Sequence, residues 1–207
     1  MGGCSSKNSS SHKSPSSSSK PNLRMKKGNN VVNKNEIKNI EAKVVLLGDQ
    51  NVGKSSIAQK FCKDIFTGQY VVTIGGAYFQ QKFIMSNGTI IKFHIWDTGG
   101  HERFRSMASI YYQDAAVAIL TYDVNDEKTF ESLNYWINEL KNKIDPNKIV
   151  ICVAGNKCDK DPTERKISFN KGKELADLNN YLFFETSAKS DIGIKEMFQA
   201  LAKKILV

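Results

Sequence analysis

An apolar run, Lys43–Leu47, passes directly into Gly48-Asp49-Gln50-Asn51-Val52-Gly53-Lys54-Ser55, and an amphipathic stretch begins at Lys54. Few features restrict a chain as much, because a glycine-rich turn of this spacing has its meaning only between a strand and a helix. There the glycines let the backbone wrap closely, and successive N–H groups at the helix N-terminus supply positive potential. That is a cradle for phosphate. In it Lys54 reaches the outer phosphates, Ser55 puts its hydroxyl on Mg²⁺, and the backbone from Gly48 through Ser56 surrounds the oxygens. An ordinary glycine-rich turn is the competing reading, and the flanking strand and helix disfavour it. The motif specifies a nucleotide but not its base.

The base is addressed by Asn156-Lys157-Cys158-Asp159, which follows the apolar strand ending at Ala154. A carboxylate here accepts both N–H groups of a guanine edge, and adenine has no matching pair of donors. Thr186-Ser187-Ala188-Lys189 follows another strand end, from which a backbone N–H can reach the guanine carbonyl oxygen. Either tetrapeptide alone is weak evidence, since Asn, Asp and Ser also favour loops. Their order after the phosphate loop, each at a strand's C-terminal end, is what carries the reading, because ligands of open α/β sheets bind there.

From Ala42 onward short apolar runs alternate with longer amphipathic ones, the pattern of a mostly parallel sheet covered by helices on both faces. Six strands are expected: 43–47, 78–84, 90–96, 116–122, 149–154 and 182–185. Asn87-Gly88 between the second and third predicts a tight turn and one antiparallel hairpin. Helices are expected to begin near Lys54, Lys128, Asn170 and Ile192, the last with a core stripe of Ile194, Phe198, Leu201 and Ile205.

The leader is different. Ten of the first twenty residues are serine, and residues 1–41 show no sustained hydrophobic period, so they are expected to remain a disordered, basic tail ahead of one domain spanning 42–207. A net charge of +9 first suggests nucleic acid, but +7 of it lies in residues 1–40 and only +2 in the rest. Base-stacking aromatics are absent from that leader, so no nucleic-acid partner is expected. The four cysteines are too scattered for a disulfide framework, and no apolar run is long enough to span a membrane.

Gly48–Ser55, Thr73-Ile74-Gly75, Trp96-Asp97-Thr98-Gly99-Gly100, Asn156–Asp159 and Thr186–Lys189 together resemble the motif set of a small Ras-superfamily GTPase. Glu102-Arg103-Phe104, Tyr111-Tyr112 and the segment from Thr73 to Tyr78 resemble the Rab family, most closely its early-endosomal subfamily. The resemblance covers residues 42–207. It implies the P-loop GTPase fold (G domain), GTP/GDP and Mg²⁺ as ligands, hydrolysis of GTP, and an exchange factor, an activating protein and effectors as partners of a monomer. It also implies that Thr73 joins Ser55 at the metal and reaches the γ-phosphate, that Asp97 holds the metal through water, that Gly100 gives its N–H to the γ-phosphate, and that Lys54, Thr73, Gly100 and His101 surround the reacting group. Tyr78, Trp96 and Tyr111 match the aromatic positions presented to effectors, and packing around a sheet edge is the competing reading of the same three residues. Most relatives carry Gln where this chain has His101, which predicts slow hydrolysis, at or below ~10⁻⁴ s⁻¹ without an activating partner. Gln50 raises the same expectation, since a side chain there crowds an incoming arginine.

The cysteine nearest the C-terminus is Cys158, so a prenylated tail is not expected. Met1-Gly2-Gly3-Cys4-Ser5-Ser6 instead fits N-myristoylation at Gly2. One myristoyl chain binds membrane with only about 10⁴ M⁻¹, so a second signal is needed, and palmitoylation of Cys4 together with the basic tail supplies it. The arrangement resembles the N-terminally acylated members of the early-endosomal subfamily, on the cytosolic face of endosomal or related membranes. The alternative is a hydrolysis-deficient, nucleotide-bound membrane scaffold.

Overall fold

The computed structural model describes residues 38–69, 71–101 and 108–206. In chain order the elements are β1 (Asn39–Leu47), α1 (Lys54–Lys63), β2 (Gly76–Ile84), β3 (Ile90–Thr98), α2 (Ala108–Tyr112), β4 (Val117–Asp123), α3 (Glu127–Glu131), α4 (Leu133–Lys143), β5 (Val150–Asn156), α5 (Phe169–Leu178), β6 (Leu182–Thr186) and α6 (Ile194–Ile205). The six strands form one sheet in the order β2-β3-β1-β4-β5-β6, parallel except for the β2–β3 pair. This is the expected fold, with the Asn87-Gly88 turn closing the hairpin: Gly88 N–H donates to the Met85 carbonyl at 2.9 Å.

Burial follows position in the sheet. Every residue of β4 is buried, as a central strand covered on both faces requires, whereas β2 at the edge alternates between exposed and half-buried. On one face Val44, Leu46, Phe93, Ile95 and Ile119 pack with Ile57 of α1 and Met197, Phe198 and Leu201 of α6. Phe61 stacks on Phe198 there, with ring centroids 3.6 Å apart. On the other face Val45, Leu47, Leu120 and Val153 meet Leu133, Trp136 and Leu140 of α4 and Ala176 of α5.

Most strand ends and helix starts fall within two residues of the sequence-based expectation, and three features depart further. β1 starts at Asn39, three residues inside the predicted leader, because Asn39, Ile40 and Glu41 pair with Ile90, Ile91 and Lys92 of β3. The helix expected from Lys128 is two: α3 is capped by the Asp126 carboxylate accepting from Lys128 N–H, and the path tightens at Ser132 before α4. The short α2 was not expected at all. Residues 1–37, including Gly2 and Cys4, and the Glu102-Arg103-Phe104 segment lie outside the described residues. Among the described residues no helix is long and apolar enough to cross a membrane.

Candidate functional site

Because β1 lies between β3 and β4, the chain leaves the C-terminal ends of neighbouring strands in opposite directions, and a crevice opens there. A cleft of about 490 Å³ occupies it. Its floor is the Gly48–Ser55 loop. α1 opens at Gly53, which has no side chain to cap it, unlike Asp126 of α3 and Ser168 of α5. Gly53 has φ 96°, and a Cβ there would fall 2.2 Å from Asn156 Nδ2. Gly53 is therefore the point where the loop meets the strand that carries the base tetrapeptide.

Lys54 is buried, and its ammonium donates to the carbonyls of Gly48 and Asp49 at 2.9 and 2.8 Å. Burial pushes it down to about 8, against the pull of Asp97 and Asp49. A desolvated cation at a helix N-terminus favours an anionic ligand.

Next to it three segments meet at one point. Ser55 Oγ donates to Asp97 Oδ2 at 2.5 Å, lies 2.9 Å from Thr73 Oγ1, and Thr73 Oγ1 reaches the same carboxylate oxygen at 3.4 Å. Burial pushes the Asp97 carboxyl up, while the Ser55 hydrogen bond, the Lys54 charge and the Thr73 hydrogen bond oppose it. Asp97 Oδ1 is buried with no hydrogen-bond partner among the described residues. Two hydroxyls and a carboxylate with an unsatisfied buried oxygen are hard oxygen donors of the kind Mg²⁺ takes. The donor set fits that ion.

Gly100 approaches the loop so closely that a Cβ would sit 2.4 Å from the Asp49 carbonyl and Gln50 N, so only glycine brings this backbone there. Gly100, His101 and Gln50 line the cleft together, as do Asn51 and Ser56, while Val52 is buried beneath them.

At the opposite end the base loops are sewn to the phosphate loop and to each other. Asn156 Nδ2 donates to the Val52 carbonyl at 2.7 Å and Asn156 Oδ1 accepts from Thr186 Oγ1 at 3.1 Å. Cys158 N–H donates to the Thr186 carbonyl, Ser187 Oγ donates to Asp159 Oδ1 at 2.5 Å, and Lys189 Nζ stands 3.9 Å from Asp159 Oδ2. Ser187 N–H is already committed to the Ile192 carbonyl at 2.9 Å. The donors left for a ligand in this loop are thus those of Ala188 and Lys189, which line the cleft with Lys157 and Asp159.

A Ras family model matches residues 43–207. The chain belongs to the Ras family. Within it the chain is 42% identical over 172 residues to the Ras-related protein Rab-5B of Plasmodium falciparum, covering 83% of this chain and 81% of that one. It is also 42% identical over 168 residues to the Ras-related protein RABF2a of Arabidopsis thaliana, covering 81% and 82%. This is a Rab-5-like small GTPase, and as such it binds GTP and GDP with Mg²⁺ and hydrolyses GTP.

For a GTPase of this family, sequence reasoning left one wall of the cleft unread. Phe66, Thr67, Gly68, Gln69, Val71 and Val72, between α1 and β2, all line it. Their signal was a connection without regular structure carrying apolar residues that stay exposed, Val71 at 77% and Ile74 at 80%. Tyr78, Trp96 and Tyr111 form one row at the sheet edge: the Tyr78 and Trp96 ring centroids lie 5.3 Å apart, and Trp96 and Tyr111 lie 5.7 Å apart. Tyr78 is the most open of the three, and its hydroxyl is 2.5 Å from His94 Nδ1.

Proposed function

We propose that this GTPase is a monomeric Rab-type switch of endosomal or related membranes that hydrolyses GTP slowly and recruits effectors when GTP-bound. The observation that carries the reading is the meeting of Ser55, Thr73 and Asp97, which joins the phosphate loop, the α1–β2 connection and the end of β3 at one point. Thr73 comes from a segment with exposed apolar residues and no regular structure, and this contact ties its side chain to the floor of the cleft. A ligand that engages the Thr73 hydroxyl and the Gly100 N–H orders both segments, and its loss frees them.

In this reading Lys54 neutralises the outer phosphates, and the backbone from Gly48 to Ser56 holds their oxygens. Ser55, Thr73 and Asp97 hold Mg²⁺, which when bound offsets charge on the phosphate oxygens. Asn156, Lys157 and Asp159 receive the guanine base, with the 188–189 backbone at its carbonyl and Ser187 fixing Asp159. His101 orients the attacking water in place of the usual Gln, and only as the neutral ring with a suitable tautomer, which is the physical reason for slow turnover. In single-turnover hydrolysis the native protein is expected to be no faster than His101→Gln. A native rate well above that of the variant contradicts this.

Gly2 myristoylation, Cys4 palmitoylation and the basic leader anchor the protein, and intact mass from a eukaryotic host tests it: an unmodified N-terminus refutes the anchor. The Tyr78, Trp96 and Tyr111 row receives effectors, while an exchange factor and an activating protein drive the cycle. One observation favours a second reading, the scaffold. His101 and Gln50 line the cleft together, so both departures from the common pattern fall beside the reacting group. Phosphate release with nucleotide exchange supports the switch; permanently bound nucleotide supports the scaffold.

A further inference from the structure

The base loop stands on a strained backbone. Lys157 has φ 64°, the left-handed region that a residue with a Cβ enters only when its surroundings hold it there. Two contacts do so. Asn125 Nδ2 donates to the Lys157 carbonyl at 3.2 Å, and Lys157 Nζ pairs with Asp123 Oδ2 at 2.8 Å.

These two contacts form one device. The other oxygen of Asp123 accepts both the N–H and the side-chain amide of Asn125, each at 2.9 Å. Asp123 therefore fixes Asn125, and together they grip Lys157 at its backbone and at the tip of its side chain. The carboxylate is itself buried, with Asp123 N–H donating to Thr129 Oγ1 at 3.0 Å and Asp123 paired in register with Asn156 across β4 and β5. A burial cost for an acid at this strand end is offset by a charge-assisted bond to the lysine.

Tying down the ammonium changes what the rest of the side chain does. A lysine whose head is held at one end of a surface lays its methylenes along that surface as an apolar strip. Lys157 lines the cleft between Asn156 and Asp159. The face of a purine is flat and apolar, whereas its edge carries the polar atoms that Asp159 would read.

We propose that Asp123, with Asn125, is a positioning residue for base binding: by fixing the Lys157 ammonium and its left-handed carbonyl, it lays the lysine stem against the face of the base and slows nucleotide release. This rests on the reading of Asn156–Asp159 as the base site. The test is the release of ribose-labelled fluorescent GDP from the full chain with Mg²⁺ present. Asp123→Asn is expected to speed release by about ten-fold and Lys157→Ala by at least as much, as loss of a charged hydrogen-bond partner predicts. If Asp123 acts through Lys157, adding Asp123→Asn to Lys157→Ala changes the rate by less than about two-fold. A role confined to folding would instead give independent, multiplying effects. Asn125→Ala, which leaves the buried carboxylate in place, is expected to speed release about three-fold and keeps the proposal open to test should Asp123→Asn fail to fold. Full multiplication of the Asp123→Asn and Lys157→Ala effects overturns the proposal, as does unchanged release in both Asp123→Asn and Asn125→Ala. Native-like release from Lys157→Ala alone refutes the base-site reading as well.

Discussion

The two ends of the cleft are built on different principles. At the base end buried Asn156 bonds both Val52 and Thr186, the Thr186 carbonyl accepts from Cys158 N–H, and buried Ser187 bonds Asp159, which ties β5 and β6 to each other and to the phosphate loop. At the phosphate end Thr73 belongs to a connection whose side chains stand in solvent, joined to the floor through hydroxyls. The base end is permanent scaffold, and the phosphate end is held by what it binds. A switch needs both, since nucleotide must stay bound while one part of its site changes order.

The largest expected effect falls at the floor of the phosphate end. Lys54→Ala removes the buried cation of the phosphate floor, and GDP affinity is expected to fall at least ~100-fold in equilibrium titration, in line with loss of charge-assisted contacts. Asn156→Ala comes next and acts on stability. It leaves the buried Val52 carbonyl and Thr186 hydroxyl without their partner, which costs about 2–3 kcal/mol and lowers the melting temperature by roughly 4–10 °C. Thr73→Ala sharpens the contrast from the other side. Its melting temperature without nucleotide is expected to stay within ~2 °C of native, because the residue sits in an open segment, while affinity for a GTP analogue over GDP falls about ten-fold.

A pH dependence probes the phosphate floor by another route. Burial holds Lys54 near 8, below the ordinary lysine value of 10.5. A lysine depressed in the folded state releases its proton on folding, so it disfavours the folded form fully below pH 8, and that penalty is relieved between pH 8 and 10.5. Nucleotide-free native protein should therefore gain stability relative to Lys54→Met across that interval. A parallel pair of melting curves contradicts the assignment.

What sequence made legible follows the same division. The six strands and the phosphate and base loops could be read because apolar runs ending in Gly, Asn or Thr mark strand ends, and ligands gather there in a parallel sheet. The wall from Phe66 to Val72 escaped because its apolar residues stay exposed and follow neither helical nor strand period. The grip of Asp123 and Asn125 on Lys157 escaped for another reason: the partners are more than thirty residues apart and meet only through the β4–β5 register. The short α2 and the break at Ser132 lie below the length at which periodicity speaks.

Hydrogen–deuterium exchange on the full chain, loaded with GDP or with a non-hydrolysable GTP analogue and Mg²⁺, tests the division most directly. Amides at 71–76 and 99–101 are expected to exchange at least ~10-fold more slowly with the GTP analogue, while those at 156–159 and 186–189 change less than about two-fold. Equal protection of both ends in the two nucleotide states would contradict the switch.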